Sequence, residues 1–187
     1  MKLCIDPGHG LSSRTSGVYD PGACSGPHQE ADIALTWSLT LRDACEALSV
    51  PVWMTRQHRQ DAAPLSKRVA AAKASGCTHL ISVHCNASDN PKANGIETLY
   101  EGTPRAAFAE SLQRVLIGKM GLTNRGIKWA SIDLKRTLAV LRFDGPAALI
   151  ELGFLTNAVD RAKLLDAEVR LQTCAALAVR LALYATA

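Results

Sequence analysis

Short apolar runs alternate along this chain with longer segments whose apolar residues recur every three to four positions. That alternation leaves few folds open. Lys2 to Ile5 reads as a strand stopped by Asp6-Pro7-Gly8, and a Gly-, Ser- and Pro-rich loop then runs to Pro27. Ile33, Trp37, Leu41, Cys45 and Leu48 place a helix over His28 to Leu48 with Glu30 in its first turn. Strands are expected at Pro51–Met54, Leu80–Val83, Ile96–Tyr100, Leu138–Phe143 and Ala147–Leu152, and helices at Ser66–Ser75 and Pro104–Met120. A last helix is expected from near Asn157, with Asn157 as its cap and Asp160 as a first-turn acid. Strands interleaved with helices predict a single α/β domain over residues 1–187, with a mainly parallel, mixed central sheet of about six strands and helices on both faces.

Composition narrows the functions such a domain could serve. With 48% hydrophobic and 20% charged residues, a chain of 187 residues can bury a full core. The longest apolar stretches, such as Cys174 to Val179, are far short of a membrane span. A net charge of +4 without a basic run, and 5% aromatics, argue against nucleic acid as a partner. Acid and proline at Asp6-Pro7 interrupt the apolar core that a signal peptide would need, so synthesis in the cytoplasm is expected. Six scattered cysteines without a Cys-x-x-Cys pair read as reduced core thiols, with a disulfide framework as the lesser alternative that their even count leaves open.

The residues able to carry chemistry sit at strand ends. Gly8-His9-Gly10 opens like a dinucleotide fingerprint, but Ser13 stands at the third glycine position and a loop, not a helix, follows. His9, His84 and Glu151 each follow or end an apolar strand, and in an open α/β sheet such ends converge on one crevice. Taken singly, a strand-end histidine is more often structural. Glu151, inside Leu149-Ile150-Glu151-Leu152, is harder to dismiss, because a buried carboxylate needs a partner or a metal. Two imidazoles and a carboxylate make a catalytic zinc set. Glu30 is a candidate for that carboxylate, although taken alone it reads as a solvated first-turn acid. Cys24, His28 and Cys85 leave softer ligand sets open, but Cys85 and His84 are strand neighbours that point to opposite faces.

Ile5-Asp6-Pro7-Gly8-His9-Gly10, Asp20-Pro21-Gly22-Ala23, Glu30-Ala31-Asp32, Ser82-Val83-His84-Cys85-Asn86-Ala87 and Glu151-Leu152-Gly153-Phe154-Leu155-Thr156-Asn157 occur in this order. The set resembles the zinc-dependent N-acetylmuramoyl-L-alanine amidases of the Amidase_3 type. Thr55-Arg56, Leu65-Ser66-Lys67-Arg68 and Asn124-Arg125-Gly126 extend the likeness over nearly the whole chain. Departures are Leu11, Ala31, Cys85 and Ala158, where glycine, lysine, alanine and proline are common; none removes a chemical group from the centre.

The resemblance implies that His9, Glu30 and His84 bind Zn2+ and that Glu151 acts on its water. It implies hydrolysis of the amide between N-acetylmuramic acid and L-alanine, with peptidoglycan as the partner of a monomeric enzyme. Asn86, Arg56 and Arg125 are candidate contacts to substrate or to the ligand residues, and Arg68 is a further candidate for stem-peptide carboxylates; structural salt bridges account equally well for the three arginines, and a turn role for Asn86. A catalytic domain with no visible export signal is expected to act as an endolysin on the cell wall, in the periplasm, after release, and a bacterial wall-remodelling enzyme is the competing biology. The competing readings are a zinc peptidase cutting within the stem peptide and a catalytically silent peptidoglycan-binding module.

Overall fold

The structure, a computed structural model, describes residues 1–185. In chain order the elements are β1 (Leu3–Pro7), β2 (Gly10–Leu11), β3 (Tyr19–Asp20), β4 (Cys24–Ser25), β5 (His28–Gln29), α1 (Glu30–Ala47), β6 (Val52–Met54), α2 (Leu65–Ala74), β7 (His79–Asn86) and β8 (Ile96–Tyr100). They continue with a 3₁₀ turn at Thr103–Arg105, α3 (Ala106–Met120), β9 (Asn124–Trp129), α4 (Ala130–Asp133), a 3₁₀ turn at Ala139–Arg142, β10 (Ala147–Phe154), α5 (Ala158–Leu165) and α6 (Ala167–Ala185). Six strands form the central sheet in the order β6-β1-β7-β10-β8-β9. The first four are parallel; β8 runs antiparallel to β10, and β9 is parallel to β8. No helix among the described residues is long and apolar enough to cross a membrane.

Period-two alternation sorts the strand residues between two cores. Leu3, Ile5, Ile81, Val83, Cys85, Ala148 and Ile150 pack with Trp37 and Leu41 of α1, Leu112 of α3 and Leu177 of α6. Cys4, Leu80, Ala147 and Leu149 face the other way onto Ala72 of α2, Ala130 of α4 and Val140 and Leu141 of the second 3₁₀ turn. Helices therefore cover both faces, as the alternation predicts. All six cysteines are free and five are buried; Cys24 is exposed, against the expectation of a core thiol. Burial pushes the Cys45 and Cys174 thiols up to about 12, so these groups are inert at neutral pH.

Three elements depart from expectation. Leu138–Phe143 is not a strand, because its residues close i→i+3 bonds such as Leu141 N–H to the Leu138 carbonyl, 3.1 Å, and form a 3₁₀ turn. The edge strand β9 has two exposed and four half-exposed residues and so lacks a strand's alternation. The C-terminal helix is two helices. Asn157 caps α5 as expected, accepting from Val159 and Asp160 N–H, but extended backbone at Asp166 ends that helix and the Asp166 carboxylate caps α6 through Glu168 and Val169 N–H. Asp160 is no solvated acid: it is buried and accepts from Gly95 N–H at 2.7 Å and Phe154 N–H at 2.9 Å.

Candidate active site

Parallel pairing of β1 with β7 and of β7 with β10 brings their carboxyl ends to one edge of the sheet. His9 lies just past β1 in a left-handed backbone conformation, φ 59°, which a non-glycine residue adopts only when its surroundings hold it there. Two buried arginines do so. Arg56, 2% exposed, donates to the carbonyls of Pro7 (3.2 Å), Gly8 (2.7 Å) and Ala31 (2.8 Å). Arg68, 3% exposed, donates to Pro7 (3.0 Å) and His9 (2.7 Å) and pairs with the buried Asp6 carboxylate at 2.9 Å. Neither guanidinium is available to a stem-peptide carboxylate, so of the two readings of Arg56 and Arg68 the structural one holds: they fix the backbone that presents His9.

His9, Glu30 and His84 meet, with one potential ligand atom from each lying within 4.8 Å of the others. Glu30 Oε1 faces His9 Nε2 at 3.0 Å and His84 Nδ1 at 2.8 Å, and it also accepts from Cys85 N–H at 3.1 Å. Its Oε2 accepts from Ala23 N–H at 2.9 Å. Burial alone would raise the Glu30 carboxyl, but the hydrogen bonds and charges of His84 and His9 hold it far below the usual carboxylate range. Behind His9, Asp20 Oδ2 lies 3.0 Å from Nδ1, which leaves Nε2 aimed at the cluster. Burial opposes protonation of His9, and its bonds to Glu30 and Asp20 outweigh that and raise its pKa. Cys24 and His28 are not part of the cluster, and Cys85 points into the core.

Close approach dictates two glycines here. A Cβ on Gly8 would lie 2.3 Å from His84 Cε1, and one on Gly22, φ 67°, would lie 2.6 Å from Glu30 Oε2. Gly8→Ala is therefore expected to push the His84 ring aside, and the affinity of the cluster for an added divalent metal should fall about 10–100-fold, the range seen when the support of a ligand is lost. Zinc titration of the purified variant checks this, and unchanged affinity would show that the ring yields freely.

Glu151 stands directly opposite His84 on β7 and directly opposite Glu97 on β8, so the three side chains form a row on one face of the sheet. Glu151 Oε2 is sealed from solvent and has no hydrogen-bond partner. Burial first, then the negative charges of Glu30 and Glu97, push its carboxyl well above the usual range, with Arg136 opposing. Glu97 was not singled out from the sequence. Its Oε1 accepts from Asn86 Nδ2 at 2.8 Å and its Oε2 from Arg125 Nε at 2.8 Å, so Asn86 and Arg125 both bind Glu97 rather than pointing free into the crevice. A cavity of about 220 Å³ opens over the cluster, lined among others by His9, Asp20, His84, Leu138 and Leu149.

Two imidazole nitrogens directed at one carboxylate oxygen, an orphaned carboxylate oxygen on the adjacent strand and a cavity in front make a donor set that fits a catalytic zinc with an open position. Comparison with known proteins identifies the family. The Amidase_3 family model, described as N-acetylmuramoyl-L-alanine amidase, matches residues 3–181. The amidase LytC of Bacillus subtilis is 30% identical over 169 residues, 88% of this chain and 32% of its own. The amidase CwlM of Bacillus licheniformis is 30% identical over 166 residues, 88% of this chain and 60% of its own. The chain thus spans from a third to three-fifths of these curated relatives. The catalytic domain of CwlV from Bacillus (Paenibacillus) polymyxa superposes with a TM-score of 0.85 at 27% identity, over 99% of this chain and 98% of that one. The amidase AmiC2 of Nostoc punctiforme gives 0.86 at 27% identity, over 100% and 98%. Site, fold and sequence thus lead to one assignment: the chain belongs to the N-acetylmuramoyl-L-alanine amidase family.

Proposed function

We propose that this protein is a zinc-dependent N-acetylmuramoyl-L-alanine amidase that releases stem peptides from peptidoglycan, with His9, Glu30 and His84 holding the metal and Glu151 moving the proton. The observation that carries the reading is the convergence of the three donor atoms beside a buried, unpartnered Glu151 oxygen. When bound, zinc would polarise the scissile carbonyl and lower the pKa of water. Asp20 holds His9 in the tautomer that presents Nε2, and Glu30 sets the angle of both rings. Glu151, ionised, accepts the proton of the attacking water as the new C–O bond forms. It then delivers that proton to the L-alanine nitrogen as the C–N bond breaks.

The test is mass analysis of digested peptidoglycan, with and without chelator. Expected products are intact glycan strands and peptides that begin with L-alanine, with activity lost on chelation and restored by zinc. Muramic acid still joined to L-alanine after exhaustive digestion would overturn the reading. New ends within the peptide would favour the zinc peptidase, and absence of any product the silent module. The endolysin role is a narrower reading of this activity: genes for phage structural proteins beside the coding sequence would support it, and a place among wall-remodelling genes would overturn it.

A base must be ionised to work, so activity should fall as pH drops through the Glu151 value of the metal-loaded enzyme, in which the charge of the metal itself favours the carboxylate. Among the protein's own groups, Arg136 also favours the ionised form. Arg136→Ala should therefore raise the Glu151 value, moving the acid limb of the kcat/KM profile to higher pH. A limb that stays in place would show that Glu151 is not the group titrating there.

A further inference from the structure

The small cavity over the cluster is not closed on all sides. It shares Ser13, Arg14, Leu65 and Ala139 with a wider, open groove of about 1010 Å³ between α2 and the 3₁₀ turn at Ala139–Arg142. Leu65, Val69 and Ala70 provide an apolar floor. The residues lining the groove include three cations, Arg14, Lys73 and Arg142, and no carboxylate. Arg14 is engaged by Asp20 at 3.1 Å and Lys73 by Asp144 at 2.5 Å. The Arg142 residue is exposed and its guanidinium has no hydrogen bond or ion pair among the described residues. A cation-lined trough leading away from the reacting centre suits an extended, anionic segment and not a neutral one.

The two parts of a muramoyl peptide differ in this respect. The glycan on the acyl side consists of neutral sugars apart from its lactyl groups, which are joined in the amides. The stem peptide on the amine side carries side-chain and terminal carboxylates. We infer that the groove between α2 and Ala139–Arg142 receives the stem peptide, with Arg142 as the residue that binds its carboxylate, so that the glycan leaves the site in another direction. The assignment rests on the amidase reading and deepens it by fixing the orientation of the substrate. Arg142 is a specificity residue here; it is remote from the proton transfer carried by Glu151.

The experiment compares the zinc-loaded wild type with Arg142→Ala and Arg142→Glu on two soluble muramoyl peptides, one with free carboxylates and one with the same groups amidated. With free carboxylates, KM should rise about tenfold for alanine and further for glutamate, with kcat unchanged, as for loss of a charge-assisted hydrogen bond. With the amidated substrate both variants should match the wild type, and added salt should raise KM only for the charged substrate. Equal effects on both substrates, or none, would overturn the assignment. Failure of the amidase reading is separately visible as wild-type protein that frees no L-alanine-terminated peptide. In that event calorimetric titration of the free stem peptide decides. Binding weakened about tenfold by Arg142→Glu upholds the groove, whereas absent or unaltered binding, or binding of peptide-free glycan in its place, overturns it.

Discussion

Exchanging Glu151 for glutamine is expected to lower kcat by about 10²–10⁴-fold and to leave the bound zinc in place. Glutamine fills the same volume opposite His84 and Glu97 but cannot accept a proton at neutral pH. Glu151 is also where the fold works against itself: its Oε2 is buried without a partner, and burial and neighbouring charge disfavour the ionised form. Replacing that carboxyl should leave thermal stability of the metal-free protein equal or higher, because burying an unpartnered acid costs the fold stability. Glu30→Ala should be as inactive for the opposite reason. Glu30 is the acceptor shared by His9 and His84, so zinc should be lost, and with it the stabilisation that a ligand of the native state confers. Elemental analysis and melting curves with and without zinc separate the two variants. A zinc-free Glu151→Gln beside a zinc-loaded Glu30→Ala would mean that the two glutamates have each other's roles.

Why Glu151 was visible in the sequence and Glu97 was not is a matter of period and register. A carboxylate inside Leu149-Ile150-Glu151-Leu152 breaks an apolar run and demands an explanation. In Ile96-Glu97-Thr98-Leu99 the acid falls where an alternating strand would put a solvated residue, and only the pairing of β8 with β10 reveals that it faces Glu151. The same limit applies to Leu138–Phe143, since a short apolar run has no period that tells a strand from a tight helical turn. Strand ends were legible because Pro and Gly mark them, and this was enough to bring His9 and His84 to one edge. Glu30 came from the family likeness, because a first-turn glutamate has an ordinary electrostatic explanation. Arg56 and Arg68 stay undecided in sequence: arginine beside a candidate site suits an anionic substrate as well as a structural pair, and nothing in sequence shows that the left-handed turn at His9 leaves the carbonyls of residues 7 to 9 in need of donors.

That need makes Arg68→Met the largest expected loss of stability. Asp6 is fully buried, and Arg68 is its cationic partner, supplemented by hydroxyls of Thr55 at 2.6 Å and Ser82 at 2.7 Å. Methionine fills much of the volume but leaves a buried carboxylate without a counter-charge, which costs about 3–5 kcal/mol. In a domain of this size each kcal/mol moves Tm by about 2–4 °C, so a drop of about 6–20 °C is expected. The loss should not be confined to stability, because the same guanidinium holds the His9 carbonyl at 2.7 Å; zinc affinity should fall with it. Asp6→Asn combined with Arg68→Met should melt above Arg68→Met alone, since the penalty lies in the unpaired charge and not in the missing contacts. A single variant melting within about 1 °C of wild type would show that Asp6 finds compensation elsewhere. A double variant no better than the single would place the cost in the released carbonyls of Pro7, His9 and Ala63. The buried arginine would then act on the metal site through the backbone, by holding the turn from which His9 reaches Glu30.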